Sequence, residues 1–243
     1  NDDLTFTAGA LTANGKGINV AGDWTNNVGT AAFVAGTGTV TFDGATSSTS
    51  VISGNTNFYN FTSATNDKIL SFASGSAQGV SGAFTVNGTS GHNIILSRNG
   101  GTGTNQWSVA LSGTRSVSYV TVSNGNNTSG AAVNPQNSVD SGNNTNWFSN
   151  IVITASAGAN GTISPSGSVG VSYGNTQAFV ITANSGYYIS NIIVDSVSIN
   201  NVLTSPYTYT FVNIITTHTI VANFQANGTK IWDGGGATNN WSD

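Results

Sequence analysis

The sequence predicts an all-β protein, on three observations. Glu is absent and Lys, Arg, Met and Leu, the straight-chain helix formers, are scarce or missing, while Thr, Val, Ile, Ser, Asn and Gly fill the chain. β-Branched residues favour strands, and Gly and Asn favour turns. Short alternating apolar runs recur between Gly, Asn and Ser, as in "AGTGTVTFDG" (35–44), where Val40 and Phe42 are expected to face a core and Thr39 and Thr41 the outside. Finally, 37% of the residues are hydrophobic, including 11 Phe, 7 Tyr and 5 Trp, enough to build cores and to argue against a disordered chain of equally low charge.

Each run up to Phe148 has the length and composition of a strand: "LTFT" (4–7), "INVAGDW" (18–24), "TVTF" (39–42), "NFYNFT" (57–62), "KILSF" (68–72), "AFTV" (83–86), "NIILS" (93–97), "WSVAL" (107–111) and "VSYVTV" (117–122). The spacers between them have no room for a crossover helix. A loose echo, "VAGDW" (20–24), "VISGN" (51–55), "VSGAF" (80–84) and "LSGTR" (111–115), repeats at about thirty residues. Such a period made of strands and turns alone points to a β-solenoid whose rungs stack coil on coil.

Charge excludes several functions. Only 6% of residues are charged, with a net charge of −4, and the five basic residues form no patch, so no nucleic-acid partner is expected. The apolar runs are too short to span a membrane as helices, and membrane insertion is not expected. With no Cys there is no disulfide or thiol chemistry. The chain has no Met, even at position 1, which predicts a product processed or excised from something longer.

The candidate reacting groups are few. Asp2, Asp3, Asp23, Asp43, Asp67, Asp140, Asp195, Asp233 and Asp243 are dispersed, so no glycosidase-type pair is expected unless Asp23 and Asp43 meet on neighbouring coils. His92 and His218 stand far apart without Cys and make a poor zinc site. No catalytic residue, cofactor or metal site is therefore predicted; Asp2, Asp3 and Asp233 are the residues from which ligands for a structural calcium ion would come. Trp24, Trp107, Trp147, Tyr187 and Tyr188 could stack on surface glycans, although core packing is the usual fate of such residues.

Resemblances sharpen these expectations. "INVAGDWTNNVGTAAFVAGTGTVTFDGATSSTSVISGNTNFYNFT" resembles the repeats of giant bacterial surface and filamentous-adhesin-type proteins, through Gly22–Val28, Gly36–Gly44 and Ile52–Phe61. That resemblance implies a right-handed parallel β-helix over 1–148, with an adhesive or structural role at the bacterial cell surface. From Ile151, "GTISP" (161–165), Tyr173–Gly174, Ala183–Tyr187, Val194–Asp195 and His218–Phe224 resemble the divergent internalin-type B-repeat, which implies a small β-grasp-like or sandwich-like domain over 151–225. Ser196 stands where that family places Gly. The tail over 226–243, with "KIWDGGGATNNWSD" (230–243), resembles the opening of another β-helix module.

Together these imply an extracellular structural unit with a domain boundary near Ser149–Asn150. Its chain starts and stops without a recognisable cap, so head-to-tail contact with identical or homologous units is expected. The connecting residues would be Asp2, Leu4, Phe6 and Trp24 at one end and Ile231, Trp232, Asp233 and Trp241 at the other. A carbohydrate-binding adhesin module and a polysaccharide-active β-helix enzyme are the alternatives.

Overall fold

The computed structural model describes residues 2–100, 104–200 and 204–228. These residues are all-β with mostly parallel sheets in the first part, and the one helical element among them is a 3₁₀ turn, Thr30–Ala32. They divide into two compact units between Asn150 and Ile151, with Ser172–Asn175 grouping with the first.

In the first unit the chain visits three sheets in rotation. Sheet I stacks Leu4–Phe6, Trp24–Asn26, Thr49–Ser53, Ile69–Ala73, Ile94–Asn99, Val120–Val122 and Val139–Asp140 in parallel. Sheet II stacks Ile18–Val20, Thr39–Phe42, Asn60–Ser63, Ala83–Asn87 and Thr114–Ser118. Sheet III stacks Thr56–Phe58, Ala77–Val80, Trp107–Leu111 and Gly125–Asn127, and the short pair Leu11–Thr12 and Phe33–Val34 occupies the same place in the earlier rotations. This arrangement is consistent with a β-helix or solenoid-like class.

Alternation drives the burial. In Thr39–Phe42, Val40 and Phe42 are buried while Thr39 and Thr41 are half-buried, so "AGTGTVTFDG" is wall. Inward side chains of successive rotations meet in aromatic contacts, with ring centroids 4.8 Å apart for Phe42–Phe61, 5.3 Å for Phe61–Phe84 and 4.1 Å for the stacked pair Phe72–Trp107. Offset and edge contacts of this kind add to the burial itself. Trp147 ends the series, fully buried and 5.4 Å from Trp107. At the other end Phe6, Ala13 and Val20 are already buried in the first rotation.

The thirty-residue echo is not the period of the coil. Leu4 lies beside Trp24, Trp24 beside Ile52, Ile69 beside Ile95 and Thr121 beside Val139; these rotations take 20, 28, 26 and 18 residues. Of the echoed segments only "VSGAF" and "LSGTR" stack in phase, with Val80 beside Leu111 and Ala83 beside Thr114. The others sit at different corners, because every corner favours the same small residues.

The second unit has a five-stranded sheet, in the order Gly167–Ser172, Asn150–Ala157, His218–Ala226, Tyr187–Val194, Val197–Ile199, and a three-stranded antiparallel sheet of Gly161–Ser164, Gln177–Ala183 and Tyr207–Phe211. One core unites them, including Ile153, Ile163, Phe179, Ile181, Ile192, Phe211 and Ile220. A β-grasp wraps its sheet around a helix, and no α-helix occurs among the described residues of this unit; two sheets about one core are sandwich-like.

Ser196 closes a two-residue hairpin. Val194 pairs with Val197, and Asp195 and Ser196 have φ of 47° and 69°, the backbone of a type I′ turn that favours Gly at the second position. The turn forms despite the serine, at the cost of a left-handed non-glycine residue. Ser196→Gly is expected to raise the unfolding free energy of this unit by about 0.5–1 kcal/mol, the relieved strain less the added freedom of the unfolded chain. A denaturant titration checks this, and a loss of stability would mean that the turn is not strained.

Candidate functional site

Several ionisable residues of the first unit gather at one corner, where the chain leaves sheet II and enters sheet I. Asp3, Asp23, Asp43, Asp67, Lys68 and His92 all occupy that corner, on successive rotations. Stacking alone places them there, since residues separated by one turn of the coil become neighbours.

The carboxylates are tied to backbone and to one another's rotations. Asp3 Oδ1 accepts from the Asp23 amide at 2.8 Å, and Asp23 Oδ1 accepts from the Val51 amide at 2.8 Å. Asp43 Oδ2 accepts from the Asn19 side-chain amide at 2.5 Å. Asp67 Oδ2 lies 2.8 Å from His92 Nδ1 on the next rotation. Each bond spans two rotations, so the carboxylates knit the coil along its axis.

Lys68 is the exception. Asp67 takes a positive φ of 56°, a conformation Asp tolerates, and the next residue is turned fully inward, with 0% of its surface exposed. Lys68 Nζ lies 2.8 Å from Ser48 Oγ and 3.3 Å from the Ala21 carbonyl oxygen, joining three rotations. Gly44 makes room for it, because a Cβ there would stand 2.2 Å from Ala21 O, 2.6 Å from Lys68 Nζ and 2.9 Å from Ser48 Oγ. Burial pushes the Lys68 amine below its ordinary pKa, against the opposing pull of Asp43 and Asp23. Neither carboxylate reaches ion-pair distance; the ion pairs among the described residues are His92–Asp67 and His218–Asp195.

The second unit has its own Asp–His contact. His218 Nδ1 lies 2.6 Å from Asp195 Oδ2, and Asp195 Oδ1 accepts from the Thr219 amide at 2.8 Å. Burial raises the Asp195 carboxyl, but the bonds from His218 and Thr219 outweigh it and hold the group below its usual range. This contact fastens the tip of the Asp195–Ser196 hairpin to the neighbouring strand.

The residues expected to join units are distributed differently from the expectation. Asp2 is exposed and Leu4 half-buried, but Phe6 is buried and Trp24 wholly so. Trp24 donates from Nε1 to Thr56 Oγ1 at 3.0 Å and packs 5.0 Å from both Phe33 and Phe58; it is a core residue, which removes it from any surface contact. Ile231, Trp232, Asp233 and Trp241 lie outside the described residues.

The same burial corrects the glycan platform. Trp24, Trp107 and Trp147 are each 0% exposed, so no sugar ring can stack on them. Tyr188 is exposed and donates to Gln225 Oε1 at 2.8 Å, while Tyr187 is half-buried. As for calcium, Asp3 already holds the Asp23 amide, and the Asp2 carbonyl holds that of Gly22 at 3.1 Å. No group of three or more His, Asp, Glu or Cys able to hold a metal ion occurs among the described residues.

Sequence reasoning anticipated that Asp23 and Asp43 could meet through stacking, and both do sit at this corner. It missed Ser48 and Lys68, since a lysine in "TNDKIL" reads as a solvated turn residue. No protein-family model, curated protein or solved structure matches the chain.

Proposed function

We propose that the chain is a structural repeat unit of an extracellular bacterial filament or giant cell-surface protein. In this reading the first unit is a right-handed parallel β-helix that supplies length, and the sandwich-like unit acts as joint or spacer. The observation that carries the reading is the continuous parallel register of sheet I through seven strands, filled inside by aromatic and aliphatic side chains. A stack of this kind lengthens by adding rotations, each burying its neighbour. The charged groups support it further: Asp3, Asp23 and Asp43 bond to neighbouring rotations, which is work for a wall.

Units would join head to tail. The strands of the first rotation, Leu4–Phe6, Leu11–Thr12 and Ile18–Val20, pair on one side only among the described residues, leaving backbone donors and acceptors for an added strand. Residues 229–243, with Ile231, Trp232, Asp233 and Trp241, would supply it to the next unit. A contact between unlike surfaces that does not close gives a filament.

Negative-stain imaging tests this reading on the intact chain and on one lacking residues 229–243. Fibres are expected from the intact chain and dispersed particles from the shortened one. Equal assembly by both would remove the tail as connector, and dispersed particles from both would overturn the filament.

A further inference from the structure

One column of sheet II runs Ile18, Val40, Phe61, Phe84 and ends on Arg115, each standing beside the one before in parallel register. A cation thus takes the place of an apolar side chain where the sheet stops. The half-buried guanidinium is held by backbone: Nη1 donates to the Ala131 and Ala132 carbonyls at 2.9 and 3.3 Å, and Nη2 to the Leu111 carbonyl at 2.9 Å. Arginine has five N–H donors, so the Nε proton and one Nη2 proton remain without a partner among the described residues. No carboxylate forms an ion pair with Arg115 among them either. The carbonyls fix the guanidinium in place and leave its charge unneutralised.

A cavity of about 360 Å³ opens at this group, and Asn87, Ser116, Asn134 and Gln136 line it with Arg115. No Asp is among its lining residues. Its polar walls offer more donors than acceptors. Ser116 Oγ accepts from Asn87 Nδ2 at 3.1 Å and has its own proton left to give, while Asn87 has a second amide proton. Asn134 is fixed by Ser149, donating to Oγ at 3.0 Å and accepting from the amide at 2.8 Å. Gln136 spends its Nε2 within the chain and keeps Oε1 as an acceptor. The backbone adds to the donors. The Val117 carbonyl accepts from the Gln136 amide at 2.9 Å, and the Ser118 carbonyl accepts from the Gly88 amide at 3.0 Å on the opposite edge. By the alternation of a strand, the Arg115 and Val117 amides face the outer edge of the sheet, away from Ala83–Asn87.

We propose that this cavity binds an acidic saccharide, a hexuronate, with Arg115 anchoring its carboxylate. The two open N–H groups of the guanidinium match the two oxygens of a carboxylate, and charge-assisted bonds of this kind are the strong ones. The ring hydroxyls would find donors in Ser116 and Asn87 and an acceptor in Gln136 Oε1, the mixed set that a sugar needs. The cavity lies at the small end of the usual range for ligand sites, which suits one sugar ring. A bare anion would satisfy Arg115 and leave the amides and hydroxyl to water. The aromatic platform expected for glycans is buried at Trp24, Trp107 and Trp147, and no aromatic ring lines this cavity. Recognition here rests on charge and hydrogen bonds, so a neutral sugar is not its ligand. The binding goes beyond the structural role proposed above and does not depend on it.

The test titrates the intact, isotopically labelled chain with galacturonate, galactose, acetate and phosphate, following the Arg115 Nε–H resonance. Galacturonate is expected to bind and to shift that resonance, less so as salt is raised. Galactose carries a hydroxymethyl group where galacturonate has its carboxylate, and it should bind about tenfold more weakly; acetate and phosphate, which lack the ring, should do the same. Ser116 and Gln136 are exposed, so Ser116→Asp and Gln136→Glu each bring a carboxylate to the cavity without disturbing the core. Both are expected to weaken galacturonate binding by about tenfold at an unchanged melting temperature. An Arg115 resonance that galacturonate does not move, equal affinity for galactose, or acetate or phosphate binding as tightly as galacturonate would each overturn the proposal. So would undiminished affinity in both variants.

Discussion

Trp24→Ala is expected to lower the unfolding free energy of the first unit by about 3–5 kcal/mol, the range for emptying a large aromatic site in a core. The indole is 0% exposed and lies 5.2 Å from Phe6, 5.0 Å from Phe33, 5.0 Å from Phe58 and 6.4 Å from Phe42 by ring centroids. Four rings lose a common partner at once, and they come from segments spread over the first three rotations. The substitution also strips Thr56 Oγ1 of a donor, although Asn26 Nδ2 still reaches it at 3.2 Å, so the polar penalty is small beside the cavity. Denaturant unfolding followed on the transition of this unit reads the change. A loss under about 1 kcal/mol would mean that the neighbours collapse into the space, or that Trp24 is not the keystone of the first rotations.

The strands were legible in the sequence because the alternation that buries one side chain in two is a local signal. "TVTF" and "WSVAL" coincide with Thr39–Phe42 and Trp107–Leu111. Three of the longer runs are not single strands, and "INVAGDW" divides into Ile18–Val20 and the start of Trp24–Asn26. "NFYNFT" divides into Thr56–Phe58 and Asn60–Ser63, and "VSYVTV" divides at Tyr119, whose φ is 49°. The reason is visible afterwards in the spacing of inward residues. Phe58 and Phe61, like Val117 and Val120, are buried three apart instead of two, and that slip of one residue is the corner itself. Period-two reading runs straight across it, because both sides of the slip look equally strand-like.

The site was far less legible. That Ser48 lies against Lys68 follows from rotations of unequal length, and Ser48 and Lys68 meet only because Thr49 stands beside Ile69. Nothing local to either residue encodes that register. It is fixed by which corners hold an extra loop, such as the stretch from Asp43 to Ser48, where the corner at Tyr119 needs a single residue. The hydrophobic pattern says which residues go inside. The stacking partner of each is a non-local outcome, and so is every contact at the charged corner.

Gly54→Ala is expected to cost the first unit about 3 kcal/mol or more, while Gly75→Ala at the equivalent corner of the next rotation should cost only about 1 kcal/mol. Both glycines end a sheet I strand with a positive φ, 75° and 73°, so both replacements carry the same left-handed strain. They differ in what a methyl group would meet. At Gly75 it would find nothing within 4 Å, whereas at Gly54 it would sit 1.9 Å from Asn26 O and 2.8 Å from Asn26 C. Asn26 cannot retreat cheaply. Its buried side chain donates to the Asn55 carbonyl at 2.9 Å and to the Gly29 carbonyl at 3.0 Å, and its Oδ1 accepts the Gly29 amide at 2.9 Å. Moving that backbone away from Gly54 would loosen the loop that leads into the 3₁₀ turn as well as the contact between rotations. The difference between the two variants therefore measures the close approach alone, with the conformational strain cancelled. Paired denaturant titrations read it, and equal losses would show that the rotations separate at this corner without resistance.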